Sequence, residues 1–146
     1  MRIAVTFLLV STLFASCNKT PTPCIDASAT EVDVFEEVIF TSCSEDAAWY
    51  DWNLEYDAGV YYDINSSFSY SWRDPGYFRV ALNVQNEKMN RGDWTETYIT
   101  VNDICYECKG ISTATVCGSD HTDKATFDAT IQNFEKAGYT CVLINN

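Results

Sequence analysis

The chain has 146 residues, 47% hydrophobic and 14% aromatic, with nine basic side chains against 21 acidic ones. A chain this apolar can bury enough surface to fold, which excludes intrinsic disorder. Its net charge of −12 repels phosphate backbones, which argues against a nucleic-acid partner.

Residues 1–16 carry one charge, Arg2, ahead of an apolar run from Ile3 to Phe14. The run is too short to span a bilayer and fits the core of a secretory signal. It ends in Ala15, Ser16 and Cys17. These residues resemble a bacterial lipoprotein signal with its lipobox, with Phe14 standing where that pattern usually has Leu. The resemblance implies cleavage before Cys17 and a diacylglycerol on its sulfur. The mature chain would have 130 residues, with eight basic side chains facing 21 acidic ones, a net of −13. Such a surface also repels anionic headgroups, so the membrane is reached through the N-terminal lipid. The implied location is the bacterial cell envelope, lipid-anchored at the outer membrane, facing the periplasm or the surface. Asn18-Lys19 lacks the acidic run of surface-export signals, which leans toward the periplasmic side. Residues 17–23 read as a lipidated tether, twice broken by proline at Pro21 and Pro23 and therefore stiff.

From Cys24 to Val101 the apolar pattern has period two, the mark of half-buried strands. Val38 and Phe40 form one such series, and Tyr50, Trp52 and Leu54 another. Phe78, Val80, Leu82 and Val84 form the longest, and Ile99 and Val101 follow. Turn chemistry separates the runs at Ala58-Gly59, Asp74-Pro75-Gly76 and Asn90-Arg91-Gly92-Asp93. Many short strands at this spacing predict an antiparallel sandwich.

Three segments then resemble the PKD domain, an immunoglobulin-like β-sandwich: Val32 to Thr41, Tyr50-Asp51-Trp52-Asn53-Leu54, and Tyr70 to Val84 around the Asp74-Pro75-Gly76 turn. The resemblance covers residues 24–102. The family usually shows Gly-Asp-Gly after the Trp strand, whereas this chain has Glu55-Tyr56-Asp57-Ala58-Gly59, so that turn must be built differently. In the family such domains commonly support protein–protein or protein–carbohydrate contacts.

Residues 103–146 change character. Cys105 to Cys108 and Ile111 to Val116 read as a hairpin turning at Lys109-Gly110. Asp120 or Thr122 could cap a helix with Asp123 in its first turn. Phe127, Ile131 and Phe134 recur at helical spacing, Gly138 stops the helix, and Tyr139 to Ile144 reads as a third strand. The whole is thus mainly β: an immunoglobulin-like (PKD) sandwich followed by a small disulfide-linked β-β-α-β unit.

Beyond Cys17, six cysteines remain, and in an exported chain an even number reads as three disulfides. Cys24 opens the first sandwich strand and Cys43 closes the next, so antiparallel pairing joins them. The hairpin places Cys105 beside Cys117. A helical crossover returns the chain to the turn end, which places Cys141 by Cys108; a three-residue slip of the hairpin would exchange these partners.

Cys105, Cys108, Cys117, His121 and Cys141 could also hold zinc, but export favours disulfides, leaving His121 as an exposed residue near a helix start. Cys105-Tyr106-Glu107-Cys108 is a poor redox pair, because Glu107 would raise the thiol pKa. The carboxylates Glu36, Glu37, Glu45, Asp46, Asp51, Glu55, Asp57 and Asp63 offer no alternating loop series for calcium and read as a solvated acidic surface. No catalytic constellation stands out, and neither a cofactor nor a metal is expected. Trp49 lies opposite Tyr50 by alternation, while Tyr56, Tyr61, Tyr62 and Trp94 sit in or beside loops. These five are the candidate ligand-binding residues, since exposed rings stack on sugars or anchor interfaces. The expected function is a non-catalytic lipoprotein whose sandwich serves as spacer or interaction module for an envelope protein or glycan. The rival readings are a glycan-binding accessory protein and, on Cys105 and Cys108 alone, a thiol–disulfide redox protein.

Overall fold

The computed structural model describes residues 19–56, 59–88 and 91–144, without the side chains of residues 55, 56, 59–63 and 91. Cys17 lies outside them.

Eight strands make two facing sheets. The first contains β1 (Ile25–Ala27), β3 (Glu37–Ser42) and β6 (Ser67–Ser71), in the order β1-β3-β6. The second contains β2 (Glu31–Asp33), β4 (Trp49–Tyr56), β5 (Gly59–Asp63), β7 (Gly76–Gln85) and β8 (Arg91–Asn102), in the order β2-β8-β7-β4-β5. The chain changes sheets at its start: β1 pairs antiparallel with β3, and β2 crosses over to run parallel to β8. The residues predicted inward are inward. Val38, Phe40, Trp52, Leu54, Phe78, Val80, Leu82, Val84, Ile99 and Val101 are all buried between the sheets. Phe40 and Phe68 stack at 5.2 Å, Trp52 meets Phe68 edge-on at 5.1 Å, and Trp72 stacks on Phe78 at 5.5 Å.

The third expected turn is displaced. Arg91 and Gly92 already belong to β8, so the β7–β8 connection lies before them. Gly92 is required there for another reason: a Cβ would stand 2.4 Å from the Pro21 carbonyl oxygen.

Residues 105–144 form β9 (Cys105–Lys109), β10 (Thr113–Cys117), α1 (Lys124–Lys136) and β11 (Thr140–Ile144). The strand order is β10-β9-β11, with both neighbours antiparallel to β9, so the crossover brings β11 in parallel to β10. The second strand begins later than its β-branched run suggested, because Ile111 is in the turn and fully exposed. α1 covers one face through Phe127, which packs with Cys108 and Val116. This unit also leans on the sandwich. Phe35 and Ile104 pack against both cores, and a Cβ on Gly118 would stand 2.5 Å from Val34 Cγ2.

Asp123, expected inside the first turn, is itself the N-cap. Its carboxylate accepts from the Thr126 amide at 2.7 Å and the Thr126 hydroxyl at 2.9 Å. An Asp at N-cap satisfies a donor that the helix leaves open. Those bonds, the backbone one foremost, hold the carboxyl below its ordinary 3.8. A lowered folded-state pKa means that the cap's contribution is complete above 3.8 and disappears as pH falls through the folded value. The Thr126 amide resonance should therefore titrate on acidification in the wild type. In Asp123→Asn, which keeps the accepting oxygen without the charge, it should stay still.

Candidate functional site

Alternation that points Phe78, Val80, Leu82 and Val84 inward points Tyr77, Arg79, Ala81, Asn83 and Gln85 outward. Strand register then builds one solvent-facing surface across three strands. On β8, Tyr98 stands opposite Arg79, Glu96 opposite Ala81, and Trp94 opposite Asn83. On β4, Asn53 stands opposite Ala81, Asp51 opposite Asn83, and Trp49 opposite Gln85.

Four rings dominate this face: Tyr77 is 68% exposed, Trp49 59%, Trp94 54% and Tyr98 37%. Three of them, Tyr77, Tyr98 and Trp94, are held in place. Tyr77 and Tyr98 stack in parallel across the strands, with centroids 4.8 Å apart and planes at 6°. The Arg79 guanidinium lies 5.2 Å from the centre of the Trp94 ring and also pairs with Glu96. The Tyr98 hydroxyl donates to the other Glu96 oxygen at 3.1 Å. The hydrogen bond from Arg79, with that from Tyr98, keeps the Glu96 carboxyl below its ordinary range, and the same Glu96 contact raises the Tyr98 phenol. Ala81, in the middle of β7 between Asn53 and Glu96, is 3% exposed and covered by its neighbours. The result is a polar surface flanked by aromatic rings on paired strands.

Of the residues expected to bind, Trp49 and Trp94 share this face, and Trp94 lies within β8 rather than in a loop. Tyr56, Tyr61 and Tyr62 are in β4 and β5, but their side chains lie outside the described residues. Sequence reasoning missed Tyr77, Tyr98, Arg79 and Glu96. The outward half of the β7 alternation already marked Tyr77 and Arg79. Their partners on β8 needed the register.

The cysteines are joined as Cys24–Cys43, Cys105–Cys117 and Cys108–Cys141. The last two link residues directly opposite in register. Asp103 lies close to the Cys105 and Cys117 sulfurs, but a disulfide offers no thiolate to a metal. His121 is not an exposed bystander. Its Nδ1 is 2.9 Å from the Cys117 carbonyl oxygen, its Nε2 is 3.1 Å from the Thr130 hydroxyl, and its ring packs edge-on against Phe127. It ties the end of β10 to α1.

A cavity of about 250 Å³ lies where the two cores meet, lined by Glu31, Asp33, Asn102, Asp103, Ile104, Leu143 and Ile144. Burial, then Glu36 and Glu31, raises the Asp33 pKa. Two of the other acids there are engaged: Asn102 donates to Glu31, and Ser119 donates to Asp103 through its amide and hydroxyl.

No family model matches the chain, and no curated protein does. Among solved structures, it is similar to one described in work on the promiscuous specificity of carbohydrate-binding modules from the β-sandwich superfamily. That match is 21% identical with a TM-score of 0.49, over 58% of this chain and 35% of the other. The matched part of this chain thus spans about a third of that structure's length. The chain is also similar to the PKD1 domain of Vibrio anguillarum Epp, 20% identical with a TM-score of 0.45, over 58% of this chain and 96% of that domain. By its own strand order, with β1 in one sheet, β2 in the other and Trp52 buried between them, the segment 25–102 is a PKD-like, immunoglobulin-like β-sandwich.

Proposed function

We propose that this is a non-catalytic, lipid-anchored protein of the bacterial cell envelope, and that its sandwich binds a neutral glycan across the outer face of β4, β7 and β8. The observation that carries this reading is the pinned aromatic array: exposed Tyr77, Tyr98 and Trp94 beside Arg79, Glu96 and Asn83. A sugar ring has apolar faces rimmed by hydroxyls. Rings supply the first contact, and planar amides, carboxylates and guanidinium supply the second. Pinning matters because side chains ordered in advance lose less entropy on binding. The net charge of −13 for the mature chain disfavours acidic polysaccharides. The spacer role and the envelope-protein partner draw no specific support from this face.

The test is affinity electrophoresis through neutral polysaccharides. The wild type should be retarded by at least one of them. An aromatic pair contributes about 0.5–1.5 kcal/mol beyond area, so Trp94→Ala and Tyr77→Ala should each weaken binding by up to about tenfold. Retardation that both variants retain in full would place the ligand elsewhere. Retardation by no neutral glycan, together with capture of an envelope protein that Trp94→Ala abolishes, would replace the glycan by a protein partner.

A further inference from the structure

The expected tether is not a free spacer. Residues 19–24 run across one end of the sandwich and are fastened at Lys19, Pro21, Thr22 and Cys24. Asn86, itself buried, donates from Nδ2 to the Lys19 carbonyl at 3.0 Å, and its Oδ1 accepts from the Lys88 amide at 3.0 Å. Pro21 is buried, with its carbonyl against Gly92. Thr22 exchanges two backbone hydrogen bonds with Glu45, both at 3.1 Å, and Cys24 is bonded to Cys43. Lys19 also pairs with Asp46 at 3.6 Å.

One residue, Asn18, separates Lys19 from Cys17. At 3.3–3.6 Å per residue, the two steps of chain from Lys19 to residue 17 can reach no farther than about 7 Å from a fixed point on the domain. The end that carries this point also contains the β3–β4, β5–β6 and β7–β8 connections. It presents Ile64, 79% exposed, and Trp49, 59% exposed at the start of β4. The cysteine-rich unit is docked at the opposite end, on Phe35, Ile104 and Val34.

From this arrangement we infer that the end bearing Lys19, Trp49 and Ile64 rests on the headgroup region of the bilayer that holds the acyl chains of Cys17. The inference rests on the lipid-anchored reading above. So short a connection cannot lift the domain off the surface. Tryptophan favours the membrane interface, while exposed Glu45 and Asp46 at the same end, the latter paired with Lys19, suit zwitterionic rather than anionic headgroups. Standing on this end, the sandwich would hold its β4-β7-β8 face sideways, open to a ligand alongside the membrane. β7, ten residues long, spans about 33 Å and would set the distance to which the cysteine-rich unit is raised.

The test uses lipidated protein purified from membranes and reconstituted in phosphatidylcholine vesicles whose acyl chains are brominated near the headgroup. A Trp94→Phe background leaves Trp49 as the exposed indole, since Trp52 and Trp72 are buried. Its emission should fall relative to unbrominated vesicles. The fall should vanish when Trp49 is also replaced by Phe, and when a long Gly-Ser segment is inserted between Cys17 and Lys19. Unchanged emission in the lipidated protein overturns the inference. A second preparation couples the mature chain to a maleimide lipid through Cys17, the cysteine outside the three disulfides. Quenching there, with an unlipidated Cys17 in cells, would end the anchor reading while upholding the membrane-facing end. No quenching there would end the membrane-facing end itself.

Discussion

Replacing Trp52 by alanine should unfold the sandwich. Trp52 is fully buried, its Nε1 donates to the Asn65 carbonyl at 2.8 Å, and its ring contacts Phe40 and Phe68. Truncating a buried Trp costs about 3–5 kcal/mol, from lost transfer energy and the cavity left behind. It also removes the hydrogen bond that Trp52 gives the Asn65 carbonyl. Against a total stability of about 5–15 kcal/mol, that loss removes much or all of the folded population. Trp49→Ala, three residues earlier on the same strand but 59% exposed, should change stability by about 0.5 kcal/mol or less. Urea denaturation followed by far-ultraviolet dichroism checks the pair. Equal midpoints for the two variants would contradict the assigned faces of β4.

The second large effect is expected from Cys108→Ala combined with Cys141→Ala. This bond closes a loop with a sequence separation of 33, worth about 4 kcal/mol in the chain-entropy model. Among the described residues, the buried cluster of the unit it staples is Cys108, Val116 and Phe127, and a segment of this size seldom folds without cross-links. Amides from Cys105 to Ile144 should therefore lose hydrogen-exchange protection, while those of β7 and β8 keep theirs. The Cys105–Cys117 bond, with a separation of 12, closes a shorter loop worth about 3 kcal/mol, so its removal should loosen the unit less. Protection unchanged in the Cys108/Cys141 variant would mean that the contacts of Phe35 and Ile104 alone hold the unit.

Local chemistry made much of this fold legible. Period-two alternation marked β4, β7 and β8 with their buried faces, because a strand with one wet side must alternate. Turn residues at Asp74-Pro75-Gly76 marked the entry to β7 for a similarly local reason, as did Gly138, at φ +87, for the end of α1. The short strands β1, β2, β5 and β6 carried weaker signals. Three to five residues contain too few alternations to stand out, and they are strands because a neighbour pairs with them.

The candidate site divides along the same line. The sequence by itself determined that Trp49 and Tyr77 face outward, since each lies one residue from a side chain that must be inward. It could not determine that Tyr98 stacks on Tyr77, or that Arg79 spans Glu96 and Trp94. Those contacts join residues 15 to 21 positions apart through the register of β7 on β8, which the whole sheet sets. Nor could it show residues 19–24 fastened to the sandwich. Two prolines forbid helix and central strand and so read as a spacer. Only the tertiary structure brings Asn86 and Glu45 to one end of the sandwich, where they supply partners that the segment's backbone lacks on its own, beside Gly92, whose missing side chain leaves room for Pro21.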